Sequence, residues 1–125
     1  MFLVTTAIKQ TFDKSNKMLF LGEWCFLYDH KDEYLSLDYD ILKYHWSDEK
    51  KIEKDFLYLE NIYNEYLKLL TQNLNKVHEI RMSERYWKII IGPWLRYFID
   101  IVFDRYSSLK LASQTYKITN TWDAW

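Results

Sequence analysis

Three short stretches combine ionisable and aromatic side chains in ways that could bind or transform a substrate. Glu23 and Trp24 follow a short apolar run, and His45 and Trp46 follow another. A carboxylate or an imidazole that is partly buried beside an aromatic ring can act as a general acid or base. The third stretch, residues 85–87, joins an arginine to a tyrosine and a tryptophan. A guanidinium group at the start of a helix suits a phosphate or a carboxylate.

Each stretch also has a purely structural interpretation. Glu23 could cap a helix or form an ion pair, and His45 could cap the helix predicted to follow it. Arg85 could form an ordinary ion pair with one of the nearby carboxylates, which are Glu84, Asp100 and Asp104. The sequence leaves both interpretations open at all three places.

Several other kinds of site are disfavoured. The glycines stand alone at Gly22 and Gly92, so no glycine-rich phosphate loop is present, and no cofactor is expected. His30, His45 and His78 lack the spacing of a metal site. Cys25 is the single cysteine. It could be a nucleophile activated by His45, but an inert buried thiol is the alternative.

The composition describes one globular domain of 125 residues in a reducing, cytoplasmic setting. Hydrophobic residues make up 49% of the chain, whereas glycine and proline total three, which favours helices and a packed core. A net charge of −1 disfavours a nucleic acid as partner. The apolar stretch 89–103 is interrupted by Arg96 and Asp100, so neither a membrane span nor a signal peptide is predicted.

An apolar, β-branched run predicts a strand at residues 2–8, and further runs predict strands at residues 18–21 and 39–44. Glu23 and His45 then follow the second and third strands, at the edge of an α/β sheet where ligands bind. Residues 26–38 remain unassigned, and the tail 115–125 could add a further strand.

The middle of the chain predicts two long helical segments. Apolar residues recur at intervals of three and four from about residue 48 to residue 78, which is typical of one amphipathic helix beginning at Ser47. Ser83 predicts the start of a second helix, with a kink or restart at Pro93. Residues 94–106 are apolar on nearly every side, which predicts a helix buried at the centre of something larger, and Arg96 could pair with Asp100. The whole pattern is that of a half-completed α/β layer fold.

Four motifs, taken in order, resemble the N-terminal part of a family of transferases from surface-polysaccharide, O-antigen-type gene loci. The motifs are LFLGEWC at 19–25, YHW at 44–46, DFLYLENIY at 55–63 and RYWKIIIGPWLRYFIDIVFDRY at 85–106. The resemblance implies a Rossmann-like half domain with a short, mostly parallel sheet and long packed helices. It also implies that residues 1–125 are the N-terminal portion of a longer, two-domain, glycosyltransferase-like enzyme.

The resemblance assigns roles to the residues in the motif positions. Glu23 and His45 are the expected catalytic residues, and the expected substrate-binding residues are Gly22, Trp24, Trp46, Arg85, Tyr86 and Trp87. The implied substrate is a nucleotide sugar or a sugar phosphate, and a second domain or chain is expected to cover the apolar helices. Two alternatives remain: a non-catalytic interaction module, and a truncated gene product without activity.

Overall fold

The computed structural model describes residues 1–122, so residues 123–125 of the predicted tail lie outside the described part. The strands are β1 (Phe2–Val4), β2 (Met18–Phe20), β3 (Tyr39–Ile41) and β4 (Asn120–Thr121). The α-helices are α1 (Lys31–Tyr34), α2 (Glu49–Val77) and α3 (Glu84–Thr115), and single 3-10 turns cover Lys9–Thr11, Glu23–Cys25 and Tyr28–His30.

The described strands form one parallel sheet in the order β3-β2-β1-β4. This is the order with which a Rossmann-type sheet begins, and it confirms the predicted Rossmann-like α/β class. The tail supplies β4, as its weak alternation allowed. In register, Val4 lies beside Phe20 and Phe20 beside Ile41, so β1, β2 and β3 end along the same edge.

All three predicted strands are shorter than their apolar runs, and β2 ends at Phe20, one residue before the end of its run. β1 ends at Val4 although the run continues to Ile8, because the hydroxyl of Thr6 accepts from the backbone N–H of Ile8 (3.2 Å). The hydroxyl of Thr11 donates to the carbonyl of Ile8 (2.7 Å) and closes this turn. Such side-chain bonds to the backbone replace those of a strand ladder. β3 likewise ends at Ile41 rather than at Tyr44.

Phe20 is the centre of the core around the sheet. Its ring is fully buried and stacks on Phe26 at 4.5 Å, while Phe12 and Tyr39 meet it edge-on at 5.3 and 5.1 Å. Tyr34 of α1 contacts the same ring at 6.2 Å. These aromatic residues come from β2, β3 and both loops that connect the first three strands. The cluster therefore anchors the loops to the sheet.

The end of α3 and the chain after it complete this core. Ala112 is fully buried against it, and Tyr116 and Ile118 pack at its margin. The amino group of Met1 donates to the carbonyl of Lys117 (3.0 Å), and the hydroxyl of Thr121 donates to the carbonyl of Leu3 (2.8 Å). Both ends of the described chain thus meet at the sheet.

The helices α2 and α3 form a hairpin with its own core of Tyr63, Leu67 and Leu95. The long amphipathic α2 is confirmed, but its N-cap is Asp48 rather than Ser47, since the Asp48 carboxylate accepts from the backbone N–H of Lys50 (3.1 Å). The apolar side of α2 is covered only in part, because four of its residues remain exposed. These are Ile52, Phe56, Tyr66 and Val77.

α3 is one helix with Pro93 inside it, so the restart predicted as one of two outcomes at Pro93 does not occur. Ile91, Leu95 and Ile99 pack against α2 on both sides of the proline. This packing offsets the hydrogen bond that proline cannot make. Gly92 lets the helices approach closely, because a Cβ atom there would lie 2.7 Å from the hydroxyl oxygen of Tyr63.

A further expectation about α3 was also wrong. Arg96 forms an ion pair with Glu60 of α2 instead of Asp100, and its guanidinium lies 4.7 Å from the centre of the Tyr63 ring. After Pro93 the described chain encloses α3 only in part: Leu95 is buried, whereas Trp94 is 58% exposed and Tyr97 is 70% exposed. The high content of apolar residues in α3 did not indicate which part of the protein covers this helix.

The chain divides into two compact units, residues 48–105 and residues 1–47 together with the segment from Tyr106 onward. The first contains the hairpin, and the second contains the sheet. Among the described residues, no helix has the length and apolar character needed to cross a lipid bilayer.

We predict that Phe20→Ala strongly destabilises the sheet unit. The change removes a fully buried ring, and comparable truncations cost about 3–5 kcal/mol. The free energy of unfolding is measured by denaturant titration followed by near-ultraviolet circular dichroism. Leu35→Ala is the control, because Leu35 is 81% exposed and its loss should have little effect. Equal effects of the two changes would contradict the central role of Phe20.

A cluster of ion pairs on the surface leads to a second prediction, which concerns how stability depends on pH. Glu33 of α1 pairs with Lys9 and with His30 (2.7 Å to Nδ1), and these two contacts lower the pKa of Glu33 below its ordinary value. Its contribution to stability is therefore present above the ordinary carboxyl pKa and is lost as the pH falls through the lowered value.

Lys9→Met should raise the pKa of Glu33 towards its ordinary value, because Lys9 is the main cause of the shift. The measurement is an NMR titration of the Glu33 carboxyl carbon. Lys14→Met is the control, since no ion pair is assigned to Lys14 within the described part of the chain. An unchanged Glu33 titration in Lys9→Met would show that the pair does not form in solution.

Candidate functional site

The carboxyl edge of the sheet holds most of the residues that the sequence singled out. Because the strands are parallel and β1, β2 and β3 end in register, the segments that follow them leave from one edge. Gly22, Glu23 and Trp24 lie in the segment after β2, and His45 and Trp46 lie in the segment after β3. Ligands of open α/β sheets bind at this edge.

The segment after β2 turns sharply and exposes Glu23. The backbone N–H of Cys25 donates to the carbonyl of Gly22, and that of Phe26 donates to the carbonyl of Glu23, both at 3.1 Å. These bonds close the 3-10 turn that Glu23 begins. The Glu23 side chain is exposed, so the partial burial expected from the sequence is absent. Its carboxylate is accessible to a substrate at this edge.

Trp24 folds back over Gly22. A Cβ atom on Gly22 would lie 2.1 Å from Cζ3 of the Trp24 ring, which is closer than atoms can approach. The backbone of Gly22 is fully extended, a conformation open to any residue, so the glycine is required here for space. Gly22 therefore sets the position of the half-buried indole beside Glu23.

Cys25 is fully buried, and its thiol donates to the carbonyl of Val4 at the end of β1 (3.4 Å). A thiol enclosed in this way is inaccessible to a substrate and fastens the turn to the sheet. The structure therefore supports the structural interpretation of Cys25.

His45 lies among aromatic rings after β3. It is 7% exposed, and its imidazole is 5.1 Å from the ring of Tyr44 and 4.6 Å from the ring of Trp46. The Tyr44 and Trp46 rings also meet edge-on at 6.0 Å. The capping role that the sequence left open for His45 belongs to Asp48. The neighbouring rings restrict the imidazole, and Tyr44 and Trp46 give this segment an aromatic surface.

The third predicted stretch begins α3 in the other compact unit. The Ser83 hydroxyl accepts from the backbone N–H of Tyr86 (3.2 Å), which confirms Ser83 as the cap. Arg85 and Tyr86 are exposed, whereas Trp87 is 6% exposed and stacks near the His78 ring at 6.0 Å. Arg85 and Tyr86 can meet a ligand, and the Trp87 ring is held inside the hairpin.

Asn75 holds together the connection between α2 and α3, and the sequence patterns did not single it out. Its side-chain oxygen accepts from the indole N–H of Trp87 (2.8 Å) and the backbone N–H of Met82 (3.1 Å), while its amide group donates to the Met82 carbonyl (2.8 Å). Its own carbonyl accepts from the backbone N–H of Ile80 (3.0 Å) at the end of α2. An asparagine near a helix end was the available signal, but its partners lie up to twelve residues away.

The described residues contain no group of histidine, cysteine, aspartate or glutamate side chains that could hold a metal ion. Separately, Glu23 and His45 are candidates for proton transfer because of their residue types and their positions after β2 and β3. Gly22, Glu23, Trp24, His45 and Trp46 belong to the sheet unit, and Arg85, Tyr86 and Trp87 belong to the hairpin unit.

Gly22→Ala should displace the Trp24 ring and destabilise the sheet unit by about 1–3 kcal/mol, because the added methyl group overlaps the indole. Unfolding titrations and the indole NMR signal of Trp24 measure the two effects. The same change in a Trp24→Ala background is the matched control. The cost should fall sharply there, and an unchanged cost would contradict the contact.

Comparison with known proteins gives one match. A protein-family model described as "LIC12162 family transferase" matches residues 1–124. A search of curated proteins found no match, and neither did a search of solved structures. Since the family model covers nearly the whole chain, this protein belongs to the LIC12162 family of transferases.

Proposed function

We propose that this chain is the acceptor-side, N-terminal part of a glycosyltransferase-like enzyme of surface-polysaccharide biosynthesis. Membership of a transferase family supports group transfer. The resemblance of the sequence motifs suggests the sugar substrate and the two-domain architecture. The observation on which the proposal chiefly rests is that the segments holding Glu23 and His45 leave one carboxyl edge of a parallel sheet.

In the proposed reaction, a base removes the proton from an acceptor hydroxyl. The acceptor oxygen then forms a bond to the anomeric carbon of the donor sugar, and the bond from that carbon to the phosphate oxygen breaks. The phosphate leaves with the bonding electrons. Glu23 is the better candidate for the base, because a base must reach the proton it removes. Its side chain is exposed, whereas His45 is 7% exposed.

His45 is the second candidate for the base, and its exposed edge would need to reach the acceptor. The aromatic residues Trp24 and Trp46 supply flat, partly exposed surfaces on which a sugar ring can pack. Gly22 contributes by leaving room for the Trp24 ring. These residues together would bind and orient the acceptor.

Arg85 is proposed to bind the anionic group of a nucleotide sugar or sugar phosphate. It lies in the first turn of α3, where the backbone N–H groups and the helix dipole also favour an anion. Tyr86 offers an exposed hydroxyl next to it. Trp87 enters the proposal through its bond to Asn75, which fixes this first turn to α2.

The test is an NMR titration of the chain with UDP-glucose and, separately, glucose 1-phosphate. Arg85→Ala should weaken binding by about 10-fold or more, because charged hydrogen bonds contribute about 1.5–3 kcal/mol. Circular dichroism should show an unchanged fold, since the Arg85 side chain is exposed. Arg81→Ala, which removes another exposed arginine just before the helix, should leave the affinity unchanged.

A separate titration with a free sugar, as acceptor, examines the sheet edge through the indole signals of Trp24 and Trp46, which should shift on binding. Equal affinities of the wild-type and Arg85→Ala chains would remove Arg85 from the site. Chemical-shift changes confined to residues outside the segments after β2 and β3 would contradict the proposed position of the acceptor sugar.

A further inference from the structure

The connecting end of the hairpin carries basic and apolar side chains in adjacent pairs, and we call residues 76–89 the hairpin tip. Four exposed basic residues are each followed directly by a residue with an exposed apolar or aromatic side chain. The pairs are Lys76 and Val77, Arg81 and Met82, Arg85 and Tyr86, and Lys88 and Ile89. The second members of these pairs are between 39% and 74% exposed. The hairpin tip therefore presents positive charge and apolar surface side by side.

The four basic side chains of the hairpin tip form no ion pair or hydrogen bond with other residues of the described chain, 1–122. The remaining arginines, Arg96 and Arg105, are each paired with a carboxylate. A cationic group without a partner in its own chain is available to an external anion. The tip has two acidic residues, Glu79 and Glu84, against its four basic ones, although the net charge of the whole chain is −1. Positive charge is thus concentrated at this end of the hairpin.

The exposed apolar side chains of the tip belong to a fixed turn. The Asn75 side chain accepts from the backbone N–H of Met82 (3.1 Å) and donates to the Met82 carbonyl (2.8 Å). It also accepts from the indole N–H of Trp87 (2.8 Å), which ties the start of α3 to the end of α2. These bonds fix the backbone on both sides of the turn, yet the Met82 side chain is 41% exposed. The tip therefore keeps apolar groups at the surface in a defined conformation.

We propose that the hairpin tip binds the surface of an anionic membrane. Segments that lie at a membrane surface combine apolar side chains, which enter the headgroup region, with basic side chains, which attract anionic lipids. Lysine and arginine can place their aliphatic stems beside apolar groups while the charged ends reach lipid phosphates. The hairpin tip offers both kinds of side chain at the same end of the molecule.

The alternation of charged and apolar residues favours a membrane over a protein as the partner. Protein interfaces have a core from which charged residues are depleted. In the hairpin tip, each exposed apolar side chain instead has a basic residue directly before it in the chain. A fluid lipid surface can take in separate apolar side chains while its headgroups contact the bases between them.

The first experiment is co-sedimentation of the 125-residue chain with vesicles of phosphatidylcholine and phosphatidylglycerol in equal parts, and with vesicles of phosphatidylcholine alone. The chain should bind the anionic vesicles at least about 10-fold more tightly, because each basic side chain near an anionic surface adds to the attraction. Added salt should weaken this binding by screening the charges. Equal binding to both kinds of vesicle, or no binding to the anionic ones, would overturn the proposal.

A double variant, Lys76→Gln with Arg81→Gln, measures the contribution of charge. Binding to anionic vesicles should weaken at least about 10-fold, since two basic side chains are lost. Lys50→Gln with Lys54→Gln is the matched control, because it removes the same charge from exposed residues at the other end of α2. The control should change binding less than about threefold, since its charges lie far from the tip. Equal losses in the two double variants would overturn the role of the tip.

The same variants separate this proposal from the proposed transferase function, on which it does not depend. Both keep Arg85, so the titration with UDP-glucose reports the proposed donor site independently of vesicle binding. Circular dichroism verifies that each variant retains the fold.

Ile89→Ser tests the apolar contribution, and Leu57→Ser is its control. Ile89 is 70% exposed within the tip, and Leu57 is 60% exposed on α2 outside it. Ile89→Ser should weaken binding to anionic vesicles at least about threefold, because less apolar surface enters the headgroup region. Leu57→Ser should leave the binding unchanged. Equal effects of the two changes would contradict insertion of the tip.

Poly-glutamate distinguishes a membrane from an acidic protein surface. The chain should bind anionic vesicles more tightly than poly-glutamate, because the polymer offers charge without an apolar layer. Binding to poly-glutamate without binding to vesicles would indicate an acidic protein as the partner and would overturn the membrane proposal.

Discussion

The sheet has strands of only two or three residues, so its backbone ladders are too short to hold it alone. The aromatic cluster around Phe20 makes up for this. Phe12, Phe26, Tyr34 and Tyr39 arrive from different loops and strands and meet one fully buried ring. Because these loops begin at or lead back to the sheet, their packing fixes the strand ends. The carboxyl edge is therefore positioned by aromatic contacts as well as by hydrogen bonds.

That dependence explains why the candidate site is aromatic. Trp24 lies against Gly22, and His45 is held between Tyr44 and Trp46. The segments after β2 and β3 contain little regular secondary structure, and the packing of aromatic rings gives them a defined conformation. Within the proposed site, Trp24 packs against the core around Phe20, and Tyr44, His45 and Trp46 pack on one another.

Sequence patterns predicted what depends on local periodicity and failed where a distant partner decides. The spacing of apolar residues located α2 closely, and the three predicted runs located the beginnings of β1, β2 and β3. They could not show that Thr6 and Thr11 would end β1 early, or that packing on α2 would carry α3 through Pro93. Site prediction placed Glu23 and His45 after strands, but it missed Asn75, whose importance comes entirely from residues beyond its own helix turn.

The pairing of β1 with β4 has a consequence for how the chain is made. β1 lies at residues 2–4 and β4 at residues 120–121, and the Thr121 hydroxyl reaches the Leu3 carbonyl across 118 positions of sequence. During synthesis, β1 and β2 leave the ribosome long before β4 exists. One edge of β1 therefore stays unpaired while both long helices emerge, and exposed strand edges of this kind promote aggregation. In that interval the unpaired edge of β1 is open to pairing with other chains, until β4 covers it.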